Sequence, residues 1–153
     1  MPGSSRDENA FQPLSRPWVS GLWRSRFGTP EEVFYGYSFF LRARNIWAIS
    51  DSALPDLRYE ALGMRIMNMK NRPWKPTTSA LQMFGRHATR NLVVLDREEA
   101  WRFLSGGSLR KDCDAEPGYV VVSYGGDVLG CGLYSSGRLV SQIPKHLRLL
   151  GDI

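Results

Sequence analysis

Apolar residues recur along this chain at two spacings, and the spacing predicts the element. In RPWVSGLWRSRFG, Trp18, Leu22 and Trp23 lie at helical intervals behind Pro17, which suits a first helical position, and Gly28 with Pro30 ends the run. DREEAWRFLSGG is the sharpest local signal. Asp96 and Glu99 have capping-box spacing, Ala100, Phe103 and Leu104 supply the buried stripe, and Gly106 or Gly107 stops the helix. A further helix is expected in NRPWKPTTSALQMFGRHA, where two prolines keep the start extended. Thr77 or Thr78 caps it, with Leu81, Phe84 and Ala88 on one face.

The strand-like stretches are aromatic and β-branched. YGYSFFLRARNIWAIS, interrupted by the polar Arg42–Asn45, reads as two strands of a hairpin or as one long strand with a bend. LRYEALGMRIMNMK adds a strand with Leu62, Met64, Ile66 and Met69 as its apolar positions, and RNLVVL adds a short one. In the last third, YVVVSY, VLGCGLY and LVSQI are separated by Gly125-Gly126 and by SSGR, which predicts a three-stranded meander. Tyr119, Val121, Leu129 and Leu139 or Val140 are its expected core. Gly130 and Gly132 allow a bend or the close approach of another backbone. Pro144 ends the meander before a short basic end piece, KHLRLL. Strands with short interposed helices give an α+β fold with a mainly antiparallel sheet, closed as a small barrel or open.

Composition narrows the class. The 153 residues, 42% hydrophobic and 23% charged, suit one compact domain or one domain with a short subdomain. The boundaries expected are a flexible tail over 1–15, a small α/β subdomain over 16–70 and the main domain over 71–153. No apolar run is long enough for a membrane span, the N-terminus lacks the apolar region of a secretory signal, and no membrane partner is expected. Cys113 and Cys131 are too few for a disulfide framework or a zinc cluster, so a reduced, cytoplasmic setting is the default.

The net charge of +5 is unevenly placed. Residues 1–60 balance at zero, whereas residues 61–90 carry Arg65, Lys70, Arg72, Lys75, Arg86 and Arg90 and no acid. A concentrated positive field is what a polyanion needs, because neutralised phosphates release counterions. A solvated basic face with no partner is the alternative. Basic side chains interleave with an aromatic in Lys70, Arg72, Trp74 and Lys75, followed by Arg86 and Arg90, with Lys145, His146 and Arg148 at the far end. Trp74 suits either a base-stacking platform or the core.

Catalytic chemistry is not visible. GGDVLGCG lies between strands with no helix after it, so it lacks the context of a nucleotide loop. His87 and His146 are far apart in sequence and have no evident nucleophile or acid partner. Cys113 lies in DCDAE, whose charges disfavour a thiolate, and Cys131 alternates with glycines as a small core residue. Glu98 and Glu99 are helix-start residues. No metal site and no cofactor site are expected.

The segment GYVVVSYGGDVLGCGLYSSGRLVSQIPKHLR resembles the PUA-like RNA-binding domain of the NOP2/Sun (RsmF-like) rRNA cytosine-5 methyltransferases. Gly118, Tyr119, Leu129, Gly130, Gly132, Pro144, Lys145, Leu147 and Arg148 match its pattern in order. Upstream, RPWKPTTSALQMFGRHATRNLVVLDREEAWRFLSGGSL is similar to the approach to that domain, and RFGTPEEVFYGYSFFLRARNIWAIS to a small subdomain before it or to a stand-alone archaeal-type version. The resemblance, over roughly residues 20–150, implies a PUA-like mixed barrel and RNA binding, with Lys145, Arg148, Arg72 and Lys75 as contacts.

It does not bring the family's chemistry. Cys113 follows Asp112 and Cys131 follows Gly130, not the Pro-Cys and Thr-Cys contexts of those enzymes, and the chain lacks the length of a cofactor domain. The expectation is a non-catalytic protein acting on rRNA or tRNA in ribosome biogenesis, ribosome association or RNA modification. Its partners would be RNA and the ribosome or a pre-ribosomal particle. The alternatives are the RNA-recognition subunit of a split methyltransferase and a protein-interaction module that has lost RNA binding. The isolated protein is accordingly expected to bind no S-adenosylmethionine, and stoichiometric micromolar heat on calorimetric titration would refute this.

Overall fold

Ser15 and Gly28 bound the first helix. The Ser15 Oγ accepts from the Trp18 N–H, a proline occupies the first turn, and Gly28 closes the helix in the left-handed conformation. In the computed structural model, which describes residues 10–51, 63–70 and 72–149, this helix, α1 (Arg16–Phe27), buries Val19, Trp23 and Phe27. The two other α-helices among the described residues are α2 (Thr78–Phe84), capped by Thr77, and α3 (Arg97–Leu104). The reciprocal Asp96–Glu99 capping box is formed as the sequence predicts.

Among the described residues the strands make two five-stranded sheets, so the fold is α+β. The first has the sequential order β1 (Gln12–Leu14), β2 (Tyr37–Arg42), β3 (Asn45–Ser50), β4 (Met64–Asn68) and β5 (Lys75–Pro76), antiparallel throughout. The aromatic stretch resolves into a hairpin. Arg42 pairs with Asn45, and Ala43 and Arg44 form a two-residue turn, both at positive φ. That is a primed turn, whose twist matches the strands, formed here without the usual glycine.

Two expectations about this half change. Gln12–Leu14, inside the expected tail over 1–15, pairs with β2. Phe11 anchors it edge-on to Phe40 and Trp47. The expected boundary at 70/71 cuts the first sheet, since β5 pairs with β4. Leu62 lies outside the described residues.

The second sheet runs β6 (Leu92–Val94), β8 (Gly118–Tyr124), β9 (Asp127–Ser135), β10 (Arg138–Ser141) and β7 (Ser108–Arg110). It is the expected meander extended on both sides and curled into a half-barrel, PUA-like in character. β7 forms where the sequence reads as loop, and β6 pairs parallel with β8. A parallel pair needs a crossover, which α3 and β7 provide. Primed turns of the same kind close both hairpins, at Gly125-Gly126 and Ser136-Gly137.

β8 holds the layers together. Val121 joins the first core with Trp23, Phe34, Leu81 and Phe84, while Val120 and Val122 join the second with Phe103, Leu109 and Leu139. A strand covered on both faces reads as a continuous apolar run, which is why VVV does not alternate. Tyr119 and Leu129, expected in the barrel core, are half-buried; Tyr119 packs on the first core and Leu129 on the second. Gly130 and Gly132 are sites of close approach, since a Cβ would come within 2.6 Å of Ile143 and of Leu139 respectively. No helix among the described residues is long and apolar enough to cross a membrane.

Gly28 is doubly constrained. Its φ is +66°, and a Cβ there would lie 2.0 Å from the Thr89 Oγ1. Gly125, at φ +59°, has open space around it. Gly28→Ala should therefore lower stability by roughly 2–4 kcal/mol and Gly125→Ala by about 1 kcal/mol, the strain of the left-handed backbone alone. Urea unfolding of both variants checks this, and equal losses would mean that the Thr89 contact imposes nothing.

Candidate nucleic-acid interface

The seam between the first sheet and the C-terminal segment opens as a cleft of about 320 Å³. β4 brings Arg65 and Asn68, and β5 brings Lys75 and Pro76. Thr77, Thr78 and Ser79 follow at the start of α2. Gln142, Pro144, His146 and Leu147 come from the segment after β10, with Cys131 in the floor.

Local bonds fix this rim. The Thr77 N–H donates to the Ile66 carbonyl, and the Thr77 hydroxyl donates to the Arg65 carbonyl while accepting from the Ala80 N–H. β4, β5 and α2 are thus tied at one residue. Lys75 Nζ donates to Gln142 Oε1 at 2.9 Å and lies over the Tyr119 ring, 5.5 Å from its centroid. One cation therefore bridges the first sheet, β8 and the C-terminal segment. Arg65 and His146 are exposed at the rim. No acidic side chain lines the cleft.

The residues proposed from sequence separate in space. Lys75 and His146, seventy-one positions apart, meet at this cleft. Lys145 is exposed beside His146 in the same helical turn, Lys145–Leu147. Lys70 and Arg72 are exposed just before β5. Trp74 is half-buried against Trp23 and Phe27, at centroid distances of 5.3 and 5.8 Å. Of its two readings the core one is realised, and the ring is not a free stacking platform. Arg86 lies on another depression, with Pro30, Glu32 and Tyr37, and its Nε donates to His87 Nε2.

Arg90 has a folding role. Its guanidinium donates to the carbonyls of Arg24 and Ser25 at the end of α1. Arg148 Nε donates to the Ile143 carbonyl, and its side chain lies against Gly106, away from the cleft lining. Arg65, Asn68 and Gln142 enter the cleft unannounced as site residues. Of these, only Arg65 left a sequence signal, as a member of the acid-free stretch.

The two free cysteines differ in burial. Cys131 is 1% exposed, and burial pushes its thiol up to about 12, with Lys75 and Arg26 partly opposing. Cys113 is half-buried, and its backbone N–H donates to the Tyr134 hydroxyl. Among the described residues no group of three or more His, Cys, Asp or Glu could hold a metal ion.

The match to a family model falls on the second sheet and its flanks. Residues 90–149 match the family model described as the methyltransferase RsmF PUA domain. Three similar curated proteins are each named ribosomal RNA small subunit methyltransferase F. The one from Psychromonas ingrahamii is 29% identical over 117 residues, covering 71% of this chain and 24% of that protein. That from Aeromonas salmonicida is 26% identical over 91 residues, covering 60% and 19%. That from Vibrio cholerae strain M66-2 is 22% identical over 111 residues, covering 71% and 24%. The chain thus spans about a quarter or less of the length of these relatives.

Titration of the native protein with a thiol-specific disulfide reagent at pH 8 should modify Cys113, and should modify Cys131 only after denaturant is added. Simultaneous reaction of both thiols would show that the cleft floor is open.

Proposed function

We propose that this chain, through its RsmF-type PUA domain, binds structured RNA of the ribosomal or transfer class, and that the cleft lined by Arg65, Lys75 and His146 contacts the phosphate backbone. The observation that carries the reading is the cleft itself. It joins the basic stretch to the C-terminal end piece and has no carboxylate in its lining. Its basic side chains with the hydroxyls of Thr78 and Ser79 form a donor-rich rim suited to phosphate oxygens. Lys70, Arg72 and Lys145, exposed beside it, extend the surface. The protein itself carries out no reaction in this reading, and its role is to position RNA in the cytoplasm during ribosome assembly or RNA modification.

A second reading has one observation in its favour. Residues 90–149 match the RsmF PUA domain model, and the relatives are matched over only about a quarter of their length. In that reading the chain is the RNA-recognition subunit for a separately encoded methyltransferase, and the two proteins co-purify.

Binding to in vitro transcribed small-subunit rRNA fragments and tRNA, measured across a salt series, tests the first reading. Arg65→Gln and Lys145→Glu should each weaken binding and flatten the log–log salt dependence by about 0.7–0.9 for every phosphate no longer neutralised, with the melting temperature unchanged. Affinities equal to wild type at every salt concentration, for both variants together, would reduce the cleft to a solvated face.

A further inference from the structure

A second group of arginines lies where the linear charge pattern gives no sign of it. Residues 91–118 carry a net charge of −2, yet Arg102 and Arg110 from this stretch converge with Arg138. Together with Ser108 and Leu109 they line a depression of about 520 Å³. Arg102 stands in the last turn of α3, Arg110 on β7 and Arg138 on β10. β7 is an edge strand of its sheet, so the depression opens at a sheet margin.

The arrangement is unfavourable without an anion. Arg110 and Arg138 are direct cross-strand partners, and like charges placed so are destabilising. Among the described residues the three arginines make no ion pair. The nearby lysine, Lys111, is itself held by Glu99 at 3.1 Å, and Asp112 sits by Gly137 on the turn beyond. Within the group, Arg138 donates to the Ser108 hydroxyl at 3.3 Å. All three arginines are exposed. Apart from that Arg138–Ser108 bond, their forked donors have no ion-pair partner among the described residues and can engage oxygens from outside, and the planar fork matches a phosphate in two-point contact.

We infer that Arg102, Arg110 and Arg138 form a second phosphate-binding surface, separate from the cleft, and that its ligand is the sugar–phosphate backbone of RNA. The inference rests on the RNA-binding reading above and extends it from one contact surface to two. β10 connects them. Arg138 opens that strand and Gln142, a cleft residue, follows its end, about 14 Å further on at roughly 3.4 Å per residue. The two linings share no residue. The shallow site, built from exposed side chains, suits an extended polyanion passing over it rather than an enclosed small molecule. A chain gripped at both ends of β10 is held in orientation as well as in place.

The experiment compares wild type, Arg110→Gln/Arg138→Gln and Arg65→Gln on the same rRNA fragments and tRNA. It pairs salt-dependent affinity with phenylglyoxal modification of arginines read by mass spectrometry. The double variant should flatten the log–log salt slope by about 1.4–1.8, twice the value for one phosphate, without lowering the melting temperature, because it relieves a like-charge pair. RNA should shield Arg102, Arg110 and Arg138 of the wild type from modification, whereas inorganic phosphate at matched ionic strength should not.

If the slope is unchanged and the three arginines stay reactive in the RNA complex while Arg65→Gln still weakens binding, this inference fails and the cleft reading stands. If neither variant alters binding, both fail. Equal shielding by inorganic phosphate would make the site a small-anion pocket and overturn the backbone assignment. Arginines shielded by an acidic protein, but not by RNA, would do the same.

Discussion

The end of α1 is the joint on which the two halves of this protein depend. A helix leaves its last four carbonyls without partners, and here residues 89–91 take up all four. Arg24 and Ser25 accept from the Arg90 guanidinium, and Arg26 accepts from the Asn91 side-chain amide. Phe27 accepts from the backbone N–H groups of Thr89 and Arg90. The other side of the joint is tied as firmly. Arg26 donates to the Tyr119 and Glu116 carbonyls, and Asn91 accepts from the Glu116 N–H while its own carbonyl accepts from Val121. Burial lowers the Arg26 pKa, and Glu116 opposes it. A guanidinium keeps its charge regardless, so the group remains a donor.

From this joint the layered arrangement follows. With α1 fixed against β8, that strand must serve two cores, and α2 fills the space between the first sheet and β9. Gly85 is part of the fit, since a Cβ there would lie 3.2 Å from Val121. The stretch similar to the RsmF PUA domain begins at residue 90, at the joint itself. The first core nevertheless draws Val121 and Cys131 from inside that stretch. The family-model match and the hydrophobic core therefore divide the chain differently, and the cleft is lined from both sides of the matched stretch.

Charge shows the same difference between line and space. The acid-free run from Arg65 to Arg90 reads as one patch, but the fold distributes it. Lys75 goes to the cleft, Arg86 to another depression and Arg90 to the helix end. Conversely, Arg102, Arg110 and Arg138 come from stretches with no local excess of positive charge and meet on one surface. Summing charge along a window finds cations that are close in sequence. A surface is assembled by strand pairing, which sets β7 against β10 although 27 residues lie between Arg110 and Arg138.

By itself the sequence determined what depends on neighbours a few residues apart. The α1 and α3 ends, the Thr77 cap and the glycine turns of the meander are all local, because caps and turns are satisfied within one turn of chain. The buried faces of α2 and α3 follow from periodicity, whereas α1 buries Val19, Trp23 and Phe27 and leaves the expected Trp18 and Leu22 half-buried. Gly130 and Gly132 give close packing as expected, but to side chains and not to another backbone. Tertiary structure decided the rest. β1 and β7 have only three residues each and exist because β2 and β10 offer them partners. The parallel pairing of β6 with β8 needs a crossover that no local signal encodes. Trp74 became a core ring because Trp23 and Phe27 stand beside it, and Lys75 joined His146 because the joint at residues 89–91 fixes the second sheet against the first. Such contacts join residues far apart in the chain, so no window of sequence contains both partners.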